Sequence, residues 1–144
     1  MAEGALRARI EAAGLQHRIV VDSCGTGDWH VGGPPDPRAV HTAAGHGVDI
    51  AGLCARVLED ADYTRFDALL CADDSTRRIV RARRPADATA EIDRLMAWAG
   101  LGEGDVPDPY TGDAEDFEAV WHRVDRAAVA IVDRLRASRA SDRA

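Results

Sequence analysis

The clearest pattern of apolar and polar positions lies in the last third of the chain. Apolar residues there recur at intervals of three and four, which is the spacing of an amphipathic helix. The stripe consists of Phe117, Val120, Trp121, Val124, Ala128, Ile131 and Leu135. Asp113 precedes the stripe and is predicted to be the N-cap of this helix, because its carboxylate can accept a hydrogen bond from an otherwise unpaired amide.

Four shorter helices are predicted from apolar spacing and from residues that favour helix ends. They cover residues 2–13, 37–44, 52–58 and a segment from a cap at Asp74 or Ser75 to about Arg83. Gly14 is suited to the position just beyond the first helix. Asp36 and Pro37 are suited to the cap and first residue of the second helix. The pattern over residues 88–99 is ambiguous and predicts no element there.

Two runs of apolar and β-branched residues, at 18–22 and 66–72, predict strands. Strands that alternate with helices indicate an α/β fold with a doubly wound parallel sheet. Ligands of such sheets bind outside the carboxyl ends of the strands. The loops that begin at Ser23 and Asp73 are therefore expected at one edge, with Trp29 and Asp73 near a single site.

Composition limits the classes of function. A chain of 144 residues suits a single domain, predicted over residues 1–138 with a frayed tail at 139–144. The formal charge of -7 argues against nucleic-acid partners, and the absence of an apolar run of roughly 20 residues argues against a membrane partner. Three cysteines without short paired spacing or a secretory signal predict a cytoplasmic protein with reduced thiols.

Asp108 lies between two prolines in a predicted loop. Each proline fixes its own φ angle and restricts the residue before it, so this carboxylate is held rigidly. A rigid carboxylate on a loop is suited to proton donation to a leaving group. A turn residue before proline is the ordinary interpretation of such an Asp when it stands alone.

Four segments together carry a resemblance to a known family. They are DSCGTGDWHVGGPPDPR at 22–38, GHG at 45–47, CADDS at 71–75 and DVPDPY at 105–110. With them the chain resembles the low-molecular-weight protein tyrosine phosphatases over nearly its whole length. The resemblance implies a parallel sheet of about four strands flanked by helices. It also implies hydrolysis of phosphotyrosine through a phosphocysteine intermediate, without a metal or other cofactor.

The resemblance also implies roles for individual residues. Asp108 would be the general acid and base, because the residues around it match the family's acid loop. Trp29 and Tyr110 would wall the slot that holds the substrate ring, and the substrate would be a phosphotyrosine-containing protein or a small aryl phosphate. Structural support of the site would come from Ser23, His46 and Asp73. None of the five histidines has metal-ligand spacing with another in the sequence, so no metal is expected.

The family's nucleophile belongs to a Cys-x5-Arg loop, and the residues that follow that loop resemble those from Met1 onward. The loop and the family's first, interior strand are therefore expected to be missing here. Cys71 and Arg77 also fit Cys-x5-Arg, but Asp73 and Asp74 would repel a phosphate dianion and no glycine allows tight backbone wrapping. We expect the 144-residue chain to lack the nucleophile and to be inactive.

Three hypotheses remain from the sequence. The first is a phosphatase whose coding start is placed at an internal Met, so that the full-length product is active. The second is a non-catalytic binding module of the same fold, although loss of an interior strand would leave strand edges unpaired. The third is an enzyme related to arsenate reductases, for which Cys54 and Cys71 are the candidate redox residues, whereas Asp108 favours ester hydrolysis.

Overall fold

The computed structural model describes residues 1–28 and 31–143, with side chains described through residue 139. Along the chain the elements are α1 (Ala2–Ala12), α2 (Pro37–Gly45), α3 (Asp62–Arg65), β1 (Ala68–Cys71), α4 (Asp74–Ala82), β2 (Glu91–Arg94), α5 (Leu95–Trp98) and α6 (Ala114–Arg143). They divide between two compact units. The helical unit comprises Met1–Asp22, Pro34–Leu53 and Asp108–Ala144, and the sheet unit comprises Ser23–Gly33 and Cys54–Pro107.

In the helical unit, α1 and α2 both pack against α6. The apolar stripe predicted for α6 is buried from Phe117 to Ile131, which confirms that this face forms the core. Asp113 is the N-cap: its Oδ1 accepts the Asp116 amide at 3.2 Å, and the Asp116 carboxylate accepts the Asp113 amide at 2.9 Å. Such reciprocal bonds stabilise the first turn of a helix, where amides lack their full intrahelical partners.

The ends of α1 and α2 also follow their local sequence. Gly14 has a φ of 72°, the left-handed conformation expected of a residue just beyond a helix. The amide of Leu15 then donates to the carbonyl of Ile10, which closes the last turn of α1. Asp36 caps α2 by accepting the amide of Arg38 at 2.8 Å, and Pro37 is the first helical residue. These predictions are confirmed.

In the sheet unit, β1 and β2 form a parallel pair connected through α4, with Ala68 opposite Glu91 and Cys71 opposite Arg94. The ambiguous segment 88–99 therefore contains a strand followed by a short helix. The α/β class with a small parallel sheet is confirmed. The part of the chain that the structure describes contains two strands, besides an isolated parallel bridge between Gly25 and Val57. The prediction was a sheet of about four strands without its first, interior strand.

Two predicted elements are wrong. Residues 18–22 do not form a strand, and Val20 is 80% exposed; β-branched residues favour a strand only where a neighbouring strand supplies the ladder. Residues 52–58 do not form a helix: Gly52 lies in a turn, and Val57 forms a parallel bridge with Gly25 in a distant loop. The Gly25 amide donates to the Arg56 carbonyl, and the Leu58 amide donates to the Gly25 carbonyl, both at 2.9 Å.

Helix α6 continues through Arg143, so the backbone of the predicted tail is helical up to that residue. The extent of the domain, residues 1–138, stays a prediction. Within the described residues, no helix is both long and apolar enough to cross a membrane.

Candidate active site

Asp108 lies on an exposed loop of the helical unit, just before α6. Its Oδ1 accepts the amide of Tyr110 at 3.0 Å, and the amide of Gly112 donates to the carbonyl of Pro109 at 2.8 Å. Bonds of this kind from an Asp side chain to the backbone two residues on stabilise a turn. The carboxylate is thus oriented by its own loop while its side chain stays accessible to solvent.

Arg38 fixes this loop to α2. Its Nη2 donates to the carbonyl of Tyr110 at 2.8 Å, and its Nη1 donates to the carbonyl of Gly112 at 3.3 Å. The guanidinium also lies 4.7 Å from the centroid of the Phe117 ring, a distance at which a cation is attracted to the ring face. Arg38 therefore positions the chain on the carboxyl side of Asp108.

Asp36 in turn orients the guanidinium. Its two carboxylate oxygens accept from Nε and Nη2 of Arg38 at 3.1 and 2.8 Å. The hydrogen bond from Arg38 lowers the pKa of Asp36, and the same bond raises the pKa of Arg38. Sequence reasoning did not assign Arg38 a role in the site. The sequence signal that could have identified Arg38 is the Asp-Pro-Arg ending of the segment 22–38. The Arg of this ending is the residue that binds the loop bearing Asp108.

Tyr110 and Trp29 are the two aromatic residues predicted to wall the substrate slot. Tyr110 is 67% exposed, so its ring is accessible to a ligand. Trp29 lies outside the described residues. The slot formed by these two side chains stays a prediction.

Asp73 follows β1 in the sheet unit and is the N-cap of α4. Its Oδ1 accepts the amide of Thr76 at 2.8 Å and the hydroxyl of Ser75 at 3.0 Å. The backbone hydrogen bond from Thr76 is the main reason that the pKa of Asp73 is lowered. The predicted cap, Asp74 or Ser75, is wrong by one or two residues, because Asp73 is the residue whose backbone is still extended where the helix begins.

Ser23 is exposed and lines a pocket of about 350 Å³ in the sheet unit. The rest of the lining consists of residues 24–27, Val31, Ala55 and Arg56. The loop in this lining is held in place by Arg83, whose Nη1 donates to the carbonyl of Thr26 at 2.7 Å. The Arg56 guanidinium donates two hydrogen bonds to Asp62, at 2.9 and 3.1 Å, so its charge is already paired.

The structure separates the three cysteines by environment. Cys24 and Cys54 are exposed, whereas Cys71 is 5% exposed. Burial, with a further contribution from Asp73, raises the pKa of Cys71 to about 11. The thiolate is the reactive form of cysteine, so Cys71 is a weak nucleophile at neutral pH. Arg77, its partner in the Cys-x5-Arg pattern, is instead ion-paired with Asp74.

His46 is the C-cap residue of α2 in the helical unit. Its Nε2 lies 2.8 Å from Oε2 of Glu118. Its ring stacks on the buried indole of Trp121, with centroids 5.2 Å apart and planes 11° from parallel. Both contacts join the end of α2 to α6.

Comparison with known proteins agrees with these motifs. A family model described as Low molecular weight phosphotyrosine protein phosphatase matches residues 1–141. The chain is 38% identical over 141 residues to a low molecular weight protein-tyrosine-phosphatase of Streptomyces coelicolor, with 94% of this chain and 85% of the relative covered. It is 32% identical over 138 residues to the low molecular weight phosphotyrosine protein phosphatase of Sus scrofa, with 94% and 87% covered.

Solved structures share the fold. A protein tyrosine phosphatase from Entamoeba histolytica superposes with a TM-score of 0.88 at 22% identity, covering 96% of this chain and 88% of its own. YfkJ from Bacillus subtilis gives a TM-score of 0.84 at 27% identity, covering 95% and 86%. The chain belongs to the low molecular weight phosphotyrosine protein phosphatase family, whose members are hydrolases.

Proposed function

We propose that Asp108 is the general acid and base of a protein tyrosine phosphatase. The family acts on phosphotyrosine-containing substrates, and phosphoproteins or small aryl phosphates are the proposed substrates of this chain. The observation that carries the proposal is the exposed carboxylate on a loop fixed at 2.8 Å to Arg38 of α2. A proton donor must be held in place to act at a defined leaving oxygen.

The proposed reaction has two steps. A cysteine thiolate attacks phosphorus, the bond from phosphorus to the tyrosyl oxygen breaks, and Asp108 gives its proton to that oxygen. The Asp108 carboxylate then takes a proton from water as the water attacks the phosphocysteine, which releases phosphate and restores the thiolate. Trp29 and Tyr110 flank the substrate ring, while Ser23, His46 and Asp73 support the site.

The thiolate is proposed to come from a Cys-x5-Arg loop joined to the amino end of α1, and the 144 residues alone are proposed to be inactive. Cys71 is buried, and its patterned partner Arg77 is ion-paired with Asp74. Neither Cys24 nor Cys54 has an Arg six positions later. Such a loop would supply backbone amides for the phosphate, and the amino end of α1 would lower the pKa of its cysteine.

Charge and thiol content support proposals on nucleic-acid binding and on the cellular compartment. The formal charge of -7 supports a protein that does not bind nucleic acid. The exposed thiols of Cys24 and Cys54 support a reducing compartment, which we propose to be the cytoplasm. No membrane partner is proposed.

The test compares the 144-residue chain with a form extended by the reading frame upstream of Met1. We expect hydrolysis of a phosphotyrosine peptide and of p-nitrophenyl phosphate by the extended form alone. In that form Asp108→Asn should lower kcat on the peptide by about 10²–10⁴-fold. The loss should be much smaller on p-nitrophenyl phosphate, because p-nitrophenolate leaves readily without a proton. Asp87→Asn, which changes an exposed carboxylate of the sheet unit, serves as the control.

Other outcomes are equally informative. Equal losses on the two substrates would contradict the role of Asp108 as an acid. Activity of the 144-residue chain that disappears in Cys71→Ser would show that Cys71 is the nucleophile. If the extended form binds the peptide without turnover, a non-catalytic binding module is favoured. If it reduces arsenate and this activity depends on Cys54 and Cys71, a relation to the arsenate reductases is favoured. An upstream frame that encodes no Cys-x5-Arg loop would refute the proposed nucleophile.

A further inference from the structure

We propose that His46, Glu118 and His122 form a binding site for a zinc ion on the helical unit. The three side chains each offer one ligand atom, and these atoms lie within 4.8 Å of one another. Two imidazoles and a carboxylate are a ligand set that suits zinc and other late transition metals. The same set does not suit calcium or magnesium, which prefer oxygen ligands throughout.

The two distances from Glu118 to the imidazoles are close to those that tetrahedral zinc requires. Bonds of about 2.0–2.1 Å place neighbouring ligand atoms roughly 3.3 Å apart. Oε2 of Glu118 lies 2.8 Å from Nε2 of His46 and 3.6 Å from Nε2 of His122, which bracket that value. The side chain of His122 is 66% exposed, so it can turn toward the ion without disturbing the core. Three protein ligands leave the fourth position to water.

The fold preorganises all three ligands. Glu118 and His122 are four residues apart on α6 and therefore project from the same face of the helix. His46 is 72 positions from Glu118 in the chain but meets it at the end of α2. Stacking on Trp121, 3% exposed, restrains the His46 ring, and the His122 ring meets it edge-on with centroids 5.4 Å apart.

One carboxylate outside the ligand set lies close to the site. Asp125 is one turn beyond His122 on α6 and is ion-paired with Arg9, so its charge is largely offset. Its carboxylate accepts two hydrogen bonds from Arg9, at 2.8 and 2.7 Å, so it is held as an anion beside the site rather than within it. With neutral imidazoles, the Glu118 carboxylate would compensate one of the two charges of zinc. Bound zinc would then cross-link the end of α2 to α6.

The test is a zinc titration of the metal-free 144-residue chain by calorimetry, together with thermal melting, in a Cys24→Ser/Cys54→Ser background that removes competing exposed thiols. We expect one zinc per chain and a higher Tm with zinc. His122→Asn and Glu118→Gln should each raise the Kd at least tenfold and abolish the rise in Tm. His41→Asn, which changes another exposed histidine of α2, should leave both unchanged.

A second metal identifies the ligands. Cobalt bound in place of zinc should give visible d–d bands without the near-ultraviolet charge-transfer band of a thiolate ligand, and His122→Asn should change those bands. Absence of binding, or unchanged binding in both His122→Asn and Glu118→Gln, would overturn the proposal. The melting curves of the metal-free variants show whether each one folds, and the two substitutions at different residues keep the test decisive if one of them does not.

Discussion

Replacement of Tyr63 with Phe tests how α4 ends inside the sheet unit. Tyr63 is 1% exposed, and its hydroxyl donates to the carbonyl of Val80 at 2.6 Å. Val80 lies in the last turn of α4, where carbonyls lose their intrahelical partners. The amide of Arg84, which would be the helical partner of the Val80 carbonyl, donates to the carbonyl of Arg81 instead. The tyrosine hydroxyl is therefore what satisfies the Val80 carbonyl at the helix end.

The size of the effect follows from this geometry. Tyr63→Phe keeps the ring in the apolar cluster with Cys71 and Val80 but leaves a buried carbonyl without its donor. An unsatisfied buried acceptor costs about 1–3 kcal/mol. We expect the free energy of unfolding to fall by about 2 kcal/mol, which corresponds to a decrease in Tm of roughly 6 °C for a chain of this length.

The assay is urea denaturation followed by circular dichroism, and the chain supplies its own control. The second of its two tyrosines, Tyr110, is 67% exposed, so Tyr110→Phe should change stability by about 0.5 kcal/mol or less. Equal effects of the two substitutions would refute the reasoning. Burial raises the pKa of Tyr63, so an absorbance titration should show one late tyrosinate that Tyr63→Phe removes.

Three further substitutions probe the helical core, an ion pair and the acid loop. Gly4→Ala should lower the free energy of unfolding, measured in urea, by about 1–3 kcal/mol, because the added Cβ would clash with Cγ2 of Ile50. The helix preference for Ala over Gly, about 1 kcal/mol, offsets part of the cost of this clash. Burial opposes ionisation of Asp62, but hydrogen bonds including those from Arg56 outweigh it and lower its pKa. Asp62→Asn should therefore destabilise the chain at pH values above about 4, the ordinary carboxyl pKa, and the difference from wild type should vanish as pH falls through the folded pKa. In the extended enzyme, Arg38→Met should lower kcat on a phosphotyrosine peptide more than it raises KM, because the loop that bears Asp108 loses two hydrogen bonds.

Matched controls separate these effects from general damage. Gly45→Ala adds a methyl group where nothing lies within 4 Å, so it should not destabilise the chain. Asp87→Asn changes an exposed carboxylate and should leave the pH dependence of the free energy of unfolding unchanged. Arg78→Met removes a guanidinium whose side chain is 81% exposed and should leave kcat unchanged. Unchanged stability of Gly4→Ala would contradict the first prediction. A stability difference between Asp62→Asn and wild type that stays constant across pH would contradict the second. Equal losses of kcat in Arg38→Met and Arg78→Met would contradict the third.

Sequence alone determined the features whose cause is local. Asp36 and Asp113 mark helix starts because a cap acts on amides two or three residues away. Pro37 marks one because its fixed φ angle suits the first helical residue. The stripe of α6 and the strand near residues 68–71 follow from short apolar patterns. The family could likewise be recognised from four short segments. The position of Asp108 between two prolines can also be read from adjacent residues, and its role as the acid stays a prediction.

Tertiary structure decided every feature that depends on a distant partner. Residues 18–22 and 52–58 have strand-like and helix-like compositions, but long-range backbone pairing determines whether either element forms. The role of Arg38 depends on a loop 72 positions away, and the raised pKa of Cys71 depends on burial that no local pattern reveals. His46 and His122 have no metal-ligand spacing in the sequence; packing of α2 on α6 brings them together, because hydrophobic burial draws helices together whatever their separation along the chain.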